Sequence, residues 1–348
     1  MSRRALTLLV AGFLTVILAV VAAWLPVPYV VLSPGPTENT IGEVEGKPVI
    51  SISGHSTYPT DGKLSMVTVA YQGGPNNNID LLTALRGWLD PTIAVVPEEM
   101  IFPKSSSPKQ VEQQNTREMT TSQEDATIAA LRELKIAVPE VVTVMAVEKG
   151  LPADGKLQVG DEITAVNGDA VSDQNAVATA VRKATPGDQV RLTVKRKDTS
   201  SEVTLGTVKG EDGKARVGVT MGMRYQPPFK VDISVGDIGG PSAGLMFSLG
   251  IYDKLTPGSL TGGKSIAGTG TISLDGAVGP IGGIEQKMVG ARKAGATIFL
   301  TPARNCAQAV RAVPDGLRLV KVETLDGAIK ALDALRTGTG DVPACTGN

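Results

Sequence analysis

After Arg3 and Arg4 the chain carries no charged residue until Glu38, and the stretch Ala5–Leu25 is almost wholly apolar. A helix needs about 20 such residues to cross the hydrocarbon of a bilayer, so residues 5–25 predict one transmembrane anchor. The two arginines on the short side orient it, making residues 1–4 a cytoplasmic tip and placing the body outside. Trp24 and Tyr29 suit the outer membrane–water interface. A cleaved signal peptide is the competing reading. Its apolar region runs about 7–15 residues and ends in small residues, whereas Ala22-Ala23 here lead into Trp24-Leu25-Pro26. The expectation is a single-pass protein of the cell membrane, with its N-terminus cytoplasmic, its anchor uncleaved and its body extracytoplasmic.

At 348 residues there is room for two or three domains. Hydrophobic residues make up 42% and aromatics only 3%, which predicts a core of Val, Ile, Leu and Ala. Net charge is −1 with no long basic run, which argues against a nucleic-acid partner. The single histidine, His55, lies beside a glycine turn and is expected in an exposed loop. One histidine and two separated cysteines cannot supply the usual zinc ligand set, so neither a metal nor another cofactor is expected. On the oxidising side of a membrane, Cys306 and Cys345 permit one disulfide tying the C-terminal tail to the last domain, with two unpaired thiols as the alternative.

The pattern along the body predicts an α+β multidomain chain. In residues 26–136, strands are expected at Val49–Ser53 and Lys63–Tyr71 and a helix at Ile79–Leu89. Loops are expected at Gly73–Asn78 and Ser105–Pro108, and Thr121-x-x-Glu124 reads as a capping box opening a helix to Leu134. No chemistry stands out there. Residues 137–208 predict a small β-barrel with one helix: strands Val141–Val147 and Gln189–Lys195, helix Ala176–Lys183, and a tight hairpin at Asn167-Gly168. Residues 209–336 read as α/β. Strands are expected at Val217–Met221, Val231–Val235, Thr297–Leu300 and Leu317–Val322. Helices are expected at Ser242–Tyr252, Ile284–Lys293 and Leu325–Leu335, with a hairpin around Asp275-Gly276. The tail, 337–348, is rich in turn residues.

Two segments carry chemistry. Gly239-Gly-Pro-Ser-Ala-Gly244 puts Ser242 where a glycine turn hands over to a helix, exposing its hydroxyl near unpaired backbone N–H groups. Lys287 follows 45 positions later in Pro280-Ile-Gly-Gly-Ile-Glu-Gln-Lys287. Placed in the first turn of a helix beside Ile281, Ile284 and Met288, its amine would be pushed toward the neutral form. A neutral lysine can take a proton from serine in a chain almost without imidazole. Taken singly, a serine at a helix start is usually a cap, and a lysine on a short helix is usually solvated. Gly258-Ser-Leu-Thr-Gly-Gly-Lys-Ser265 fits the P-loop spacing, but a phosphate cradle needs a strand before it and a helix after it. Neither is expected there, and an ATPase reading rests on this match alone.

Leu157-Gln-Val-Gly-Asp-Glu-Ile-Thr-Ala-Val-Asn-Gly168 resembles the central run of a bacterial PDZ domain. The resemblance implies capture of extended peptides at a sheet edge, here at Val141, Val142, Thr143 and Val144. Ile136-Ala-Val-Pro139 stands where a Gly-Leu-Gly-Phe-like carboxylate loop is usual. Residues 233–301, including Ile266-Ala-Gly-Thr-Gly-Thr-Ile and Val278-Gly-Pro-Ile-Gly-Gly-Ile-Glu-Gln-Lys287, resemble the proteolytic domain of Lon-type endopeptidases. That resemblance implies a Ser242–Lys287 dyad, with Thr269 positioning the lysine and Gly240, Pro241 and Ala243 around the oxyanion. The position three before the serine, often acidic in that family, is Gly239, with Asp237 two earlier. Together the resemblances imply a bacterial membrane-anchored PDZ protein with a Lon-type Ser-Lys serine endopeptidase domain and no ATPase module. Protein or peptide substrates and a ring-shaped homo-oligomer are implied with it. The alternative is a non-catalytic PDZ adaptor or scaffold at the membrane.

Overall fold

The computed structural model describes residues 3–75, 77–103 and 106–347. Met1 and Ser2 of the expected tip, Asn76 of the loop expected at Gly73–Asn78 and Ser105 of that expected at Ser105–Pro108 lie outside the described residues. Two compact units form. One joins the chain through Ile136 to the chain from Phe229 onward; the other, Ala137–Pro228, is inserted between those segments. Two expected boundaries therefore move. Residues 26–136 belong with the proposed dyad rather than to a separate region, and 209–228 belong to the inserted unit. The cause is strand pairing over long separations, which leaves no periodic trace in a sequence.

The first segment supplies α1 (Arg3–Trp24), β1 (Tyr29–Asn39), β2 (Ile50–Ser53), β3 (Lys63–Gln72), α2 (Leu81–Leu89), β4 (Ala94–Pro97) and α3 (Pro108–Glu133). Helix α1 is long and apolar enough to cross a membrane, with none of its hydrophobic stretch buried. Ile79 and Asp80 are not helical as expected: they pair with Val27 and Pro26, and the Asp80 carboxylate caps α2 by accepting the Thr83 N–H at 2.8 Å. Helix α3 begins well before the expected capping box at Thr121. The box is instead Ser107 with Gln110, and Pro108 occupies the first turn. Its first turns are largely exposed and lack apolar periodicity, which hid the true start.

The inserted unit contains β5 (Glu140–Val147), β6 (Glu162–Val166), α4 (Gln174–Arg182), β7 (Gln189–Arg196), β8 (Thr199–Gly206) and β9 (Val219–Tyr225). The strands form an antiparallel sheet in the order β8-β7-β6-β5-β9. Alternation along β7 sends Val190, Leu192 and Val194 into a core with Val144, Ile163 and Val177. Asn167 and Gly168 both take positive φ, 54° and 93°, the conformation that a two-residue type I′ hairpin demands.

The chain then returns through β10 (Lys230–Ile233), α5 (Gly244–Leu255), β11 (Ser265–Gly268), β12 (Thr271–Ile272), β13 (Val278–Gly279), α6 (Ile284–Lys293), β14 (Ile298–Pro302), α7 (Cys306–Ala309), β15 (Arg318–Val322) and α8 (Leu325–Thr337). The main sheet runs β15-β14-β11-β3-β1-β4. It is parallel from β15 to β3 and antiparallel beyond. Strand β3 is central, and Leu64, Met66 and Val67 are buried, as a strand covered on both faces requires. Strand β11 follows β3 only from Ser265↔Lys63 to Gly268↔Met66. Past that point Val67–Tyr71 has no β11 partner, and a cleft opens there. Helix α5 is apolar nearly all round and buries Leu245, Met246, Phe247 and Leu249. The P-loop-like run is a turn followed by β11, so the helix of a phosphate cradle is lacking.

Candidate active site

Ser242 sits at the mouth of α5, but not inside it. The helix begins at Gly244 with Ala243 as its N-cap, so the expected start at Ser242 moves by two residues. Gly240, with φ of 88°, makes the turn that delivers the serine, a backbone state that side chains disfavour. Two residues of α3 hold this turn. Asn115 O accepts the Gly240 N–H at 3.0 Å, and Ser122 Oγ donates to Pro241 O at 3.0 Å. A side chain at Gly239 would meet Asn115 Cβ at 2.7 Å, which explains why glycine, and not an acid, stands three before the serine.

Lys287 Nζ lies 2.8 Å from Ser242 Oγ and 3.2 Å from Thr269 Oγ1. Thr269, wholly buried at the end of β11, donates its hydroxyl to Ser242 O at 3.0 Å, while Gly270 N–H donates to the same oxygen at 2.8 Å. Serine backbone, threonine and amine are thereby fixed to one another. Lys287 is only 3% exposed, among neighbours on α6 that include the buried Ile284 and Met288. Loss of hydration there lowers its pKa to about 8. At pH 7 that leaves roughly one amine in ten neutral, against about one in three thousand for an ordinary lysine.

Of the residues expected around the oxyanion, Gly240 is excluded as a donor because its N–H is already taken, and Pro241 has none. Leu245 N–H is likewise committed, to Gly270 O at 3.1 Å. The N–H groups of Ser242 and Ala243 have no backbone partner among the described residues. The site opens into a cleft of about 940 Å³ between Val67–Val69 of β3, Asn115 and Met119 of α3, and the 234–240 segment.

A further contact had no sequence signal. Buried Asn305 grips the Ile281 backbone, accepting its N–H at 3.0 Å and donating to its carbonyl at 2.9 Å. This fixes the loop of Gly282 and Gly283, which line the cleft before Lys287. Next to Asn305, Cys306 forms a disulfide with Cys345, with Cα atoms 5.0 Å apart. His55 is exposed and packs against Phe229, with ring centroids 4.6 Å apart.

The expected peptide-binding residues need correction. Val141, Val142, Thr143 and Val144 lie on β5, which β9 covers from Val219↔Val147 to Tyr225↔Glu140 while β6 pairs on the other side. An added strand cannot reach them. The edge on that side of the sheet is β9.

A family model described as the Lon protease (S16) C-terminal proteolytic domain matches residues 230–334, and one described as a PDZ domain matches residues 111–207. The second match begins within α3, ahead of the inserted unit. The Lon protease of Phenylobacterium zucineum (strain HLK1) is 35% identical over 150 residues, covering 41% of this chain and 18% of that protein. Lon protease 2 of Bacillus subtilis (strain 168) is 36% identical over 110 residues, covering 30% of this chain and 19% of that protein. The chain thus spans under a fifth of the length of these relatives. Among solved structures, the PDZ domain of an SdrC-like protein from Listeria monocytogenes is similar at 26% identity with a TM-score of 0.22, covering 23% of this chain and 86% of that one.

Proposed function

We propose that this chain, which carries a PDZ domain and the proteolytic domain of Lon proteases, is a serine endopeptidase working through a Ser242–Lys287 dyad without ATP. It is held in the cell membrane by residues 5–25, with its body extracytoplasmic, and it cleaves unfolded or flexible envelope and membrane proteins. The observation that carries this reading is the 2.8 Å approach of a buried, desolvated amine to the hydroxyl of Ser242.

Neutral Lys287 takes the Ser242 proton as Oγ attacks the scissile carbonyl. The hydroxyl of Thr269 keeps the amine aimed, and the N–H groups of Ser242 and Ala243 stabilise the oxyanion. The lysine, now an ammonium, gives its proton to the leaving amine; a water deprotonated by the same amine then attacks the Ser242 ester, and the Oγ–acyl bond breaks to release the acid product and regenerate the serine hydroxyl. The substrate backbone lies extended along the open side of β3 at Val67–Tyr71. The inserted unit presents substrate by accepting an extended peptide at the free edge of β9.

The test is degradation of a disordered, casein-like substrate by the detergent-solubilised full chain without nucleotide. Wild type cleaves it; Ser242→Ala and Lys287→Met do not, although both fold. Persistent cleavage by Ser242→Ala, or cleavage only on adding ATP, contradicts the proposal.

A further inference from the structure

Helix α2 is built inside out. It buries its smallest side positions, Ala84 and Gly87, against Val31 of β1 and Val95 of β4. A side chain at Gly87 would meet Val95 Cγ2 at 2.6 Å, so the helix lies as close to the sheet as a helix can. Three of its five large apolar residues point away: Leu85 is 42% exposed, Trp88 53% and Leu89 86%. A surface helix facing water carries polar residues on that side, and a cluster of exposed large apolar side chains marks a contact surface.

What covers this face is indicated by where α2 starts. Leu81 N–H donates to Leu25 O at 3.1 Å, and Pro26 and Val27 pair with Asp80 and Ile79. The helix therefore abuts the end of α1, at Trp24, which is itself 84% exposed. At 1.5 Å per residue α2 is about 13 Å long, and the interfacial layer of a leaflet is about 5–8 Å deep. Lying flat, the whole of α2 fits in that layer; pointing away from the membrane, Trp88 and Leu89 would leave it. Arg86 and Trp88 are residue types that settle at headgroup depth.

We propose that α2 is an interfacial helix, its Leu85–Trp88–Leu89 face resting in the headgroup region of the bilayer that α1 spans. The proposal rests on the membrane reading of α1 given above. Tyr29 stacks edge-on with Trp88, with ring centroids 5.6 Å apart, so α2 is held on the face of β1 that also carries Val31.

The experiment uses the full chain in vesicles of equal parts phosphatidylcholine and phosphatidylglycerol, with lipids brominated near the headgroup or near the acyl-chain ends. In a Trp24→Phe background Trp88 is the only tryptophan. Its emission is expected to be blue-shifted and quenched more by the shallow bromines than by the deep ones. Leu85→Ser with Leu89→Ser is expected to abolish that quenching while leaving cleavage of a soluble peptide in detergent unchanged. A Phe13→Trp reporter, with both native tryptophans replaced by Phe, reads α1 separately. If it is quenched by deep bromines while Trp88 stays unquenched, the interfacial helix is overturned and the anchor stands. If neither is quenched, both readings fall.

Discussion

Replacing Lys287 by methionine keeps nearly the volume of the side chain and deletes the charge. Burial lowers the amine from 10.5 to about 8, which corresponds to about 3 kcal/mol against the charged form. The folded value lies below the unfolded one, so between pH 8 and 10.5 the unfolded chain binds a proton that the folded chain does not. Stability of the wild type therefore rises with pH through this window, and the burden is fully present below about pH 8. The Lys287→Met variant carries no such burden. It forfeits the contacts of Nζ with Ser242 and Thr269, at about 0.5–1.5 kcal/mol each, so it should be about 0–2 kcal/mol more stable than wild type at pH 7. The gap should shrink by about 2–3 kcal/mol on moving to pH 10. Both proteins share every other titrating group, so the difference isolates this amine. Urea unfolding followed by Trp88 emission in the Trp24→Phe background reads the unit that holds the dyad. A gap independent of pH, or a variant less stable at pH 7 by a constant amount, would refute the reasoning.

Three further outcomes are expected. The kcat/KM for a short peptide should fall about tenfold per pH unit below 8 and level off above it, read from initial rates; a profile flat between pH 6 and 8 would exclude Lys287 as the base. Asn305→Ala should strip both Ile281 backbone groups of their partner, at about 1–3 kcal/mol for each buried group left unmade. It should lower kcat without moving the pH midpoint, because Asn305 positions the loop and does not titrate. Cys306→Ala with Cys345→Ala should cost up to about 4 kcal/mol by the chain-entropy argument for a 39-residue separation. Differential scanning calorimetry with and without reductant checks this: reductant should lower the wild-type midpoint and leave the variant's unchanged.

The chemistry was more legible than the architecture. Glycine, proline and the apolar spacing around Lys287 are local signals, and Ile284–Lys293 is helical over the expected range. Thr269 was implied by family resemblance, and it lies between the amine and the serine backbone. What stayed hidden was long-range. Asn115 and Ser122 brace the serine turn from α3, the second of them 119 positions away, and β3 walls the cleft from the first segment. Neither contact imposes a periodicity on its own stretch. The peptide edge failed for the same reason, since β5 reads as an edge strand until β9 pairs with it. Conversely, the sequence predicts a helix ending at Leu89 but not which of its faces is covered. Only the tight seat of Gly87 on Val95 reveals that its apolar side faces outward.

The most direct measurement is acylation of Ser242 by an electrophilic peptide probe, followed by mass spectrometry across pH 6 to 10. A single adduct mapping to Ser242 is predicted, its rate rising through one ionisation near pH 8 and vanishing in Lys287→Met. An adduct on another residue, or a rate unaltered by that substitution, would contradict the dyad.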